Sequence, residues 1–300
     1  MRITNNMVTS SIMTELQDLE TQQSSLQSEV SSGIAVTQPS DNPEAFSQVV
    51  ELQSQSNQLQ QFDTNATQAL NVSSASYAGL SSLQQLYDRA SQLGTLGTSA
   101  VDGTSQQAYA TEVDQLVQQA VQVGNSQLGN SYLFAGTADS APPFVAATDS
   151  SGTITSVSYA GNSGTTAIPI SQTSTVSPGT SGETNSGIAT FINSLISLRD
   201  ALQSGDSAGI STANSALTSS EDVITTAVAD NGAIQARIQS DQTQQQAMST
   251  QDSTMISNDA DADLPTTMVK LNQAQLAYQA ALQSSASVMH LSILNYIELQ

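Results

Sequence analysis

Ser11–Gly33 reads SIMTELQDLETQQSSLQSEVSSG, and the spacing of its apolar residues decides the fold. Ile12, Leu16, Leu19, Gln23, Leu26 and Val30 alternate steps of four and three. That is the seam of a coiled coil, narrower than the apolar face of a helix on a large core. Ser and Gln surround it, so the stripe is one or two residues wide. Ser31-Ser32-Gly33 interrupts the pattern, and Pro39-Ser40-Asp41-Asn42-Pro43-Glu44 starts a second helix. There Asp41 is placed to cap, Pro43 suits the first turn and Glu44 stands at the capping-box position.

Working outward, Phe46, Val49, Leu52, Leu59, Phe62, Ala66, Leu70, Tyr77, Leu80, Leu83 and Tyr87 are separated by threes, fours and sevens. They predict a helix of about 60 Å, ending at Gly94 and Gly97. Tyr109, Val113, Leu116, Ala120 and Val123 predict the next. From 131 to 186 the chain turns rich in Gly, Ser, Thr and Pro and has no Lys or Arg. Ile154–Tyr159 is strand-like, Gly161-Asn162-Ser163-Gly164 reads as a turn, and Thr166, Ile168 and Ile170 alternate. This is a small β-rich insertion with at least one hairpin; a disordered linker is the alternative, given the low-complexity run Ser171–Ser186. As an insertion, 139–183 should be removable without loss of assembly.

Helical periodicity returns with Ile188, Phe191, Leu195, Leu198 and Leu202. Ile210, Leu217, Ile224, Asn231 and Ile238 then fall at strict sevens, and a single Asn on such a seam sets register at a cost in stability. The fold class expected is mainly α: a long helical coiled-coil rod formed by the N- and C-terminal segments, with a small β-rich inserted domain. The parts are 1–38, an N-terminal assembly helix pairing with 264–300; 39–130, the first half of the rod; 131–186, the insertion; 187–263, the second half; and 264–300, the C-terminal assembly helix. The terminal stripes supply a candidate assembly interface: Ile3, Met7, Ile12, Leu16, Leu19, Leu26 and Val30 at one end, and Met268, Leu271, Tyr278, Leu282, Met289, Ile293 and Tyr296 at the other.

Composition excludes several functions. Charged residues make up 10% of the chain, 26 acidic against 5 basic, for a net charge of −21. Arg2, Arg89, Arg199, Arg237 and Lys270 are scattered, so no patch exists to neutralise nucleic-acid phosphates or to grip anionic lipid. Cysteine is absent, which removes disulfides, thiolate metal sites and cysteine nucleophiles. The first residues, Met1-Arg2-Ile3-Thr4-Asn5-Asn6-Met7, have no apolar core of a secretory signal. No run reaches the ~18 apolar residues of a membrane span.

Catalytic chemistry finds no footing either, and no cofactor is expected. The single histidine, His290, has no accompanying base or ligand motif and reads as a helix-surface residue. Asp259-Ala260-Asp261-Ala262-Asp263 has the opening spacing of a calcium loop, but Leu264 and Lys270 stand where Gly and Glu are required. Carboxylates at a helix start account for it better. Asn65-Ala66-Thr67 and Asn71-Val72-Ser73 match the glycosylation pattern inside a helical stripe, as chance matches do in so Ser/Thr-rich a chain.

Several segments carry a resemblance. Ser31-Ser32-Gly33 followed by Pro39-Ser40-Asp41-Asn42-Pro43 fits S-[ST]-G … P-S-D-[DN]-P. Tyr132-Leu133-Phe134-Ala135-Gly136, then Pro143-Phe144, fits Y-[IL]-F-x-G … P-F. Val157-Ser158-Tyr159-Ala160-Gly161-Asn162 fits V-x-Y-x-G-[DN], and Leu291-Ser292-Ile293-Leu294-Asn295-Tyr296-Ile297 is similar to L-S-L-L-[ND]-Y-L. In this order, end to end, they resemble the hook-associated branch of the bacterial flagellin superfamily, the hook–filament junction proteins. Ile34-Ala35-Val36 departs from it, standing where many relatives have a basic pair.

The resemblance implies a non-enzymatic structural subunit of the extracellular flagellum, exported by the flagellar type III apparatus without a cleaved signal peptide. It implies as partners copies of the chain in a layer, the preceding hook-associated protein, flagellin, and a flagellar export chaperone, with no nucleic acid and no membrane. A filament flagellin is the alternative within the same class. A secreted helical adhesin or effector-like binding module is the alternative outside it.

Overall fold

The computed structural model describes residues 5–100 and 102–297, and all their side chains except those of 5, 6, 8, 9 and 288–297. Ile3 therefore lies outside the described residues, and the side chains of Met289, His290, Ile293 and Tyr296 lie outside the described ones. Six helices and three strand pairs are described: α1 (Asn5–Ser32), α2 (Pro43–Ser99), α3 (Gly103–Gly124), β1 (Gln127–Leu128), β2 (Ser131–Tyr132), β3 (Phe144–Thr148), β4 (Ile154–Tyr159), β5 (Ile168–Pro169), β6 (Thr175–Val176), α4 (Gly182–Ser204), α5 (Ser207–Ala260) and α6 (Leu264–Ile297). The protein is mainly α. It divides into two compact units, one of Met1–Asn57 with Met248–Gln300 and one of Gln58–Ala247.

In the second unit the core is shared between helices and strands. The stripe Ile188, Phe191, Leu195, Leu198 and Leu202 of α4 is buried against Val113, Leu116, Val117 and Ala120 of α3 and Leu80, Leu83 and Leu93 of α2. Ile210, Leu217 and Ile224 of α5 close the same cluster. Asn231, on that heptad seam, is buried and accepts from Ser73 Oγ of α2 at 2.8 Å. A partnered seam Asn pins two helices to one register, because any slip would bury it unpaired.

α2 is longer than its sequence predicts, at 57 residues or roughly 85 Å, and it runs straight through Gly94 and Gly97. Both glycines serve close approach rather than termination. A Cβ at Gly94 would stand 2.1 Å from Asn214 Oδ1, and one at Gly97 would stand 2.3 Å from Leu202 Cδ2. Each lets α2 take in a side chain from a neighbouring helix, at a helix-propensity cost of about 1 kcal/mol.

The β-rich stretch is welded to the helices. β3 and β4 form an antiparallel hairpin with a bulge at Ala147/Thr148. Its turn is held by the Asp149 carboxylate, which accepts from the backbone N–H groups of Ser151 and Thr153, each at 2.9 Å. Phe144 and Val157 point into the helical core beside Phe134. Two Asn side chains act as extra strand edges: Asn125, the C-cap of α3, exchanges two 2.9 Å bonds with the backbone of Phe144, and Asn193 of α4 does the same with Val157 at 2.8 and 2.9 Å.

The strand Ile154–Tyr159 is where the sequence places it, and its partner is β3. Asn162 fixes the turn that follows. Its side chain accepts from Thr137 N and donates to Thr137 Oγ1, at 2.9 and 2.8 Å, and this locks the 161–164 turn onto residues 135–137. Ile168–Pro169 pairs with Thr175–Val176, inside the run read as low-complexity. Ile170 and Val176 are buried with Ala66, Ala69 and Ile238 of the long helices. Asn65 Nδ2 donates to the Pro169 carbonyl at 2.9 Å, and Arg237 donates to Ser174 Oγ at 2.7 Å.

Candidate assembly interface

The first unit is built on the first and last helices. α1 packs against α6, and the junction that aligns them is backbone chemistry. α1 ends at Gly33, whose N–H donates to the Glu29 carbonyl at 2.9 Å and whose φ is +75°. That left-handed conformation is strained for any residue with a Cβ. The chain then zips onto the α5–α6 link: Ala35 N–H donates to the Ala260 carbonyl at 2.7 Å and Ala262 N–H to the Gly33 carbonyl at 2.8 Å. Ile34 and Asp261 form an antiparallel bridge.

One turn along each helix, Thr267 Oγ1 donates to the Glu29 carboxylate at 2.8 Å. Carried along an antiparallel pair, this register sets Leu26 opposite Leu271, Leu19 opposite Tyr278 and Ile12 opposite Ser285. Burial follows the spacing seen in the sequence: Ile12, Leu16, Leu19, Gln23 and Val30 are half-buried and Leu26 is buried. Met7 is exposed.

α6 carries two overlapping seams, each stepping by four and three. Thr267, Leu271, Ala274, Tyr278, Ala281 and Ser285 are buried or half-buried, in line with the face that meets α1. Leu264, Met268, Leu271, Gln275, Tyr278 and Leu282 make a second seam, rotated by about one residue; its Leu264, Met268 and Leu282 are exposed. Of the residues expected at the interface from sequence, Leu271 and Tyr278 lie on both seams, and Met268 and Leu282 lie only on the outer one. Thr267, Ala274 and Ser285 were missed because they are small or polar; the heptad count from Leu271 would have found them.

The loop before α2 differs from the capping expected. Asn42, not Asp41, caps α2: its Oδ1 accepts from Glu44 N and Ala45 N, each at 3.2 Å. Asp41 instead closes the loop, accepting from Thr37 N and Gln38 N at 3.0 Å and from Thr37 Oγ1 at 3.1 Å. The hydrogen bond from the Thr37 backbone, with those from Gln38, holds its pKa below the ordinary 3.8. A depressed carboxylate pKa makes the loop's staple fully present above the unfolded value and lost as pH falls through the lower, folded one. The amide proton shifts of Thr37 and Gln38, followed by NMR, are therefore expected to titrate together with a midpoint below 3.8. A midpoint at or above that value, or an unchanged profile in Asp41→Ala, rejects the assignment.

Asp263 starts α6: its carbonyl accepts from Thr267 N at 2.8 Å and its carboxylate from Thr266 Oγ1 at 2.6 Å. No described helix is long and apolar enough to cross a membrane. Among the described residues no cluster of three or more His, Cys, Asp or Glu is placed to hold a metal ion.

Comparison with known proteins agrees with this architecture. The bacterial flagellin N-terminal helical region matches residues 3–139. No curated protein matches the chain. A flagellar hook-associated protein from Vibrio parahaemolyticus superposes with a TM-score of 0.66 over 74% of this chain and 100% of its own, at 15% identity. FlgL of Bacillus cereus superposes with 0.58 over 70% and 98%, at 19% identity. Flagellar hook-associated protein-3 of Legionella pneumophila gives 0.57 over 70% and 98%, at 11% identity. Residues 3–139 thus match the flagellin N-terminal helical region, and the chain shares its fold with these flagellar hook-associated proteins.

Proposed function

We propose that this protein is a structural subunit of the bacterial flagellum that joins hook to filament, in the manner of the hook-associated proteins whose fold it shares. Its role is mechanical rather than catalytic. Copies of the chain pack into a layer through unit 1, with the preceding hook-associated protein on one side and flagellin on the other. An export chaperone holds it in the cytoplasm, and the flagellar type III apparatus carries it to the cell surface. The observation that carries this reading is the outer seam of α6. The first and last helices pair with each other, and α6 still presents a second apolar stripe that continues the paired one. A further helix of the same heptad grammar, supplied by another copy, fits that stripe.

A strain lacking the gene tests the reading. It is expected to keep its hooks, to lose attached filaments and to shed unpolymerised flagellin into the medium. Cells that retain normal filaments would rule out a junction role, and cells whose medium also lacks flagellin would point to the filament protein itself.

A further inference from the structure

The seven methionines are distributed unevenly. They stand at 1, 7, 13, 248, 255, 268 and 289, all within unit 1, and Gln58–Ala247 contains none. Cysteine is absent, so every sulfur atom of the protein belongs to that unit. Core filling does not explain them. Met7, Met13, Met248, Met255 and Met268 are 63, 58, 37, 42 and 53% exposed, whereas the densely packed core of unit 2 is made of Leu, Ile, Val, Phe and Ala. Met248 and Met255 lie seven residues apart on one face of α5, and Met268 lies on the outer seam of α6.

Exposed thioethers have two physical properties. The side chain is unbranched and polarisable, so it moulds to an apposed surface that a branched residue would fit in one way only. The sulfur also keeps an accessible lone pair, and oxidation turns an apolar side chain into a polar, chiral sulfoxide. Burying that sulfoxide oxygen between subunits without a donor opposes packing.

We propose that these five methionines are separate oxidation sites through which peroxide loosens packing between copies of the chain. The inference rests on the reading that unit 1 packs against a second copy. The thioether sulfur attacks one oxygen of hydrogen peroxide and forms an S–O bond while the O–O bond breaks. Methionine is oxidised by two electrons, the peroxide is reduced, and the departing hydroxide takes a proton to leave as water. Unit 2 has no sulfur and is untouched.

The full-length chain tests this by sedimentation before and after hydrogen peroxide, with oxygen uptake at each methionine read by peptide mass spectrometry. Oxidation is expected to raise the concentration needed for association at least about tenfold, and methionine sulfoxide reductases are expected to restore it. The melting of the unit 2 core should not move. A variant carrying Met7→Leu, Met13→Leu, Met248→Leu, Met255→Leu and Met268→Leu should associate and ignore peroxide. A fully oxidised chain that associates like the untreated one overturns the proposal, as does a five-leucine variant that peroxide still dissociates. If the untreated chain shows no association at any concentration, the packing reading itself fails and takes the proposal with it. Should the variant not fold, the reductase arm decides alone: association lost to peroxide and not regained after reduction of the sulfoxides refutes the proposal.

Discussion

Removal of residues 139–183, with the ends rejoined by a short flexible linker, is expected to abolish cooperative unfolding of unit 2. From composition alone the segment looked expendable. In the structure it contributes Phe144 and Val157 to the main core and Ile170 and Val176 to the cluster on Ala66, Ala69 and Ile238. Phe144 also lies against Tyr159, ring centroids 5.6 Å apart. Truncating one buried Phe costs about 3–5 kcal/mol and one buried aliphatic residue about 2–5. The whole chain has only about 5–15 kcal/mol to lose. Asn125 and Asn193 would in addition lose the strand backbone they pair with. Calorimetry and near-UV circular dichroism check this: the excised chain should retain helical signal but show no sharp transition. A sharp transition near the midpoint of the intact protein would mean the segment is the separable insertion its composition suggests.

Arg199→Met is expected to destabilise the protein by about 3 kcal/mol, the scale of breaking a buried ion pair by removing one partner. The Arg199 side chain is buried in α4. It donates from Nη1 to Asp114 of α3 at 2.9 Å and to the Ile154 carbonyl of β4 at 2.7 Å, and from Nε and Nη2 to Asp200 at 2.9 and 2.7 Å. Burial works against its charge, but the hydrogen bonds to Asp200 and Asp114 outweigh that and raise its pKa above the ordinary guanidinium value, so it stays ionised. Asp200 lies largely in solvent, where the pair is worth little. The energy rests on Asp114 and the Ile154 carbonyl, which tie two helices and a strand together. A second change, Asp114→Leu, removes the orphaned carboxylate and should recover part of the loss. Denaturant unfolding of both variants decides; a single variant within about 0.5 kcal/mol of the parent would show that the tie is incidental.

Sequence periodicity by itself determined the helical class and the stripes of α1, α4 and α5. A heptad is a local property: residues three and four apart share a face whatever else the chain does. The Asn of the α5 seam was legible for the same reason, as was the strand Ile154–Tyr159 from its alternation.

Tertiary structure alone decided the rest. Gly94 and Gly97 signal a helix end when read locally, yet α2 passes through them because Asn214 and Leu202 need the space a Cβ would fill. Asn42 and Asp41 are both competent caps, and the chain reversal after Gly33 determines which carboxyl or amide meets the helix N-terminus. β4 pairs with Phe144–Thr148, and the turn after it is held by Asn162 on Thr137, a partner 25 residues away. On α6, two seams share Leu271 and Tyr278, and periodicity cannot rank them. The inner one faces α1 because Thr267 and Glu29 fix the register, and because Ala274, Ala281 and Ser285 are small enough for α1 to approach; the larger Met268 and Leu282 are left facing outward.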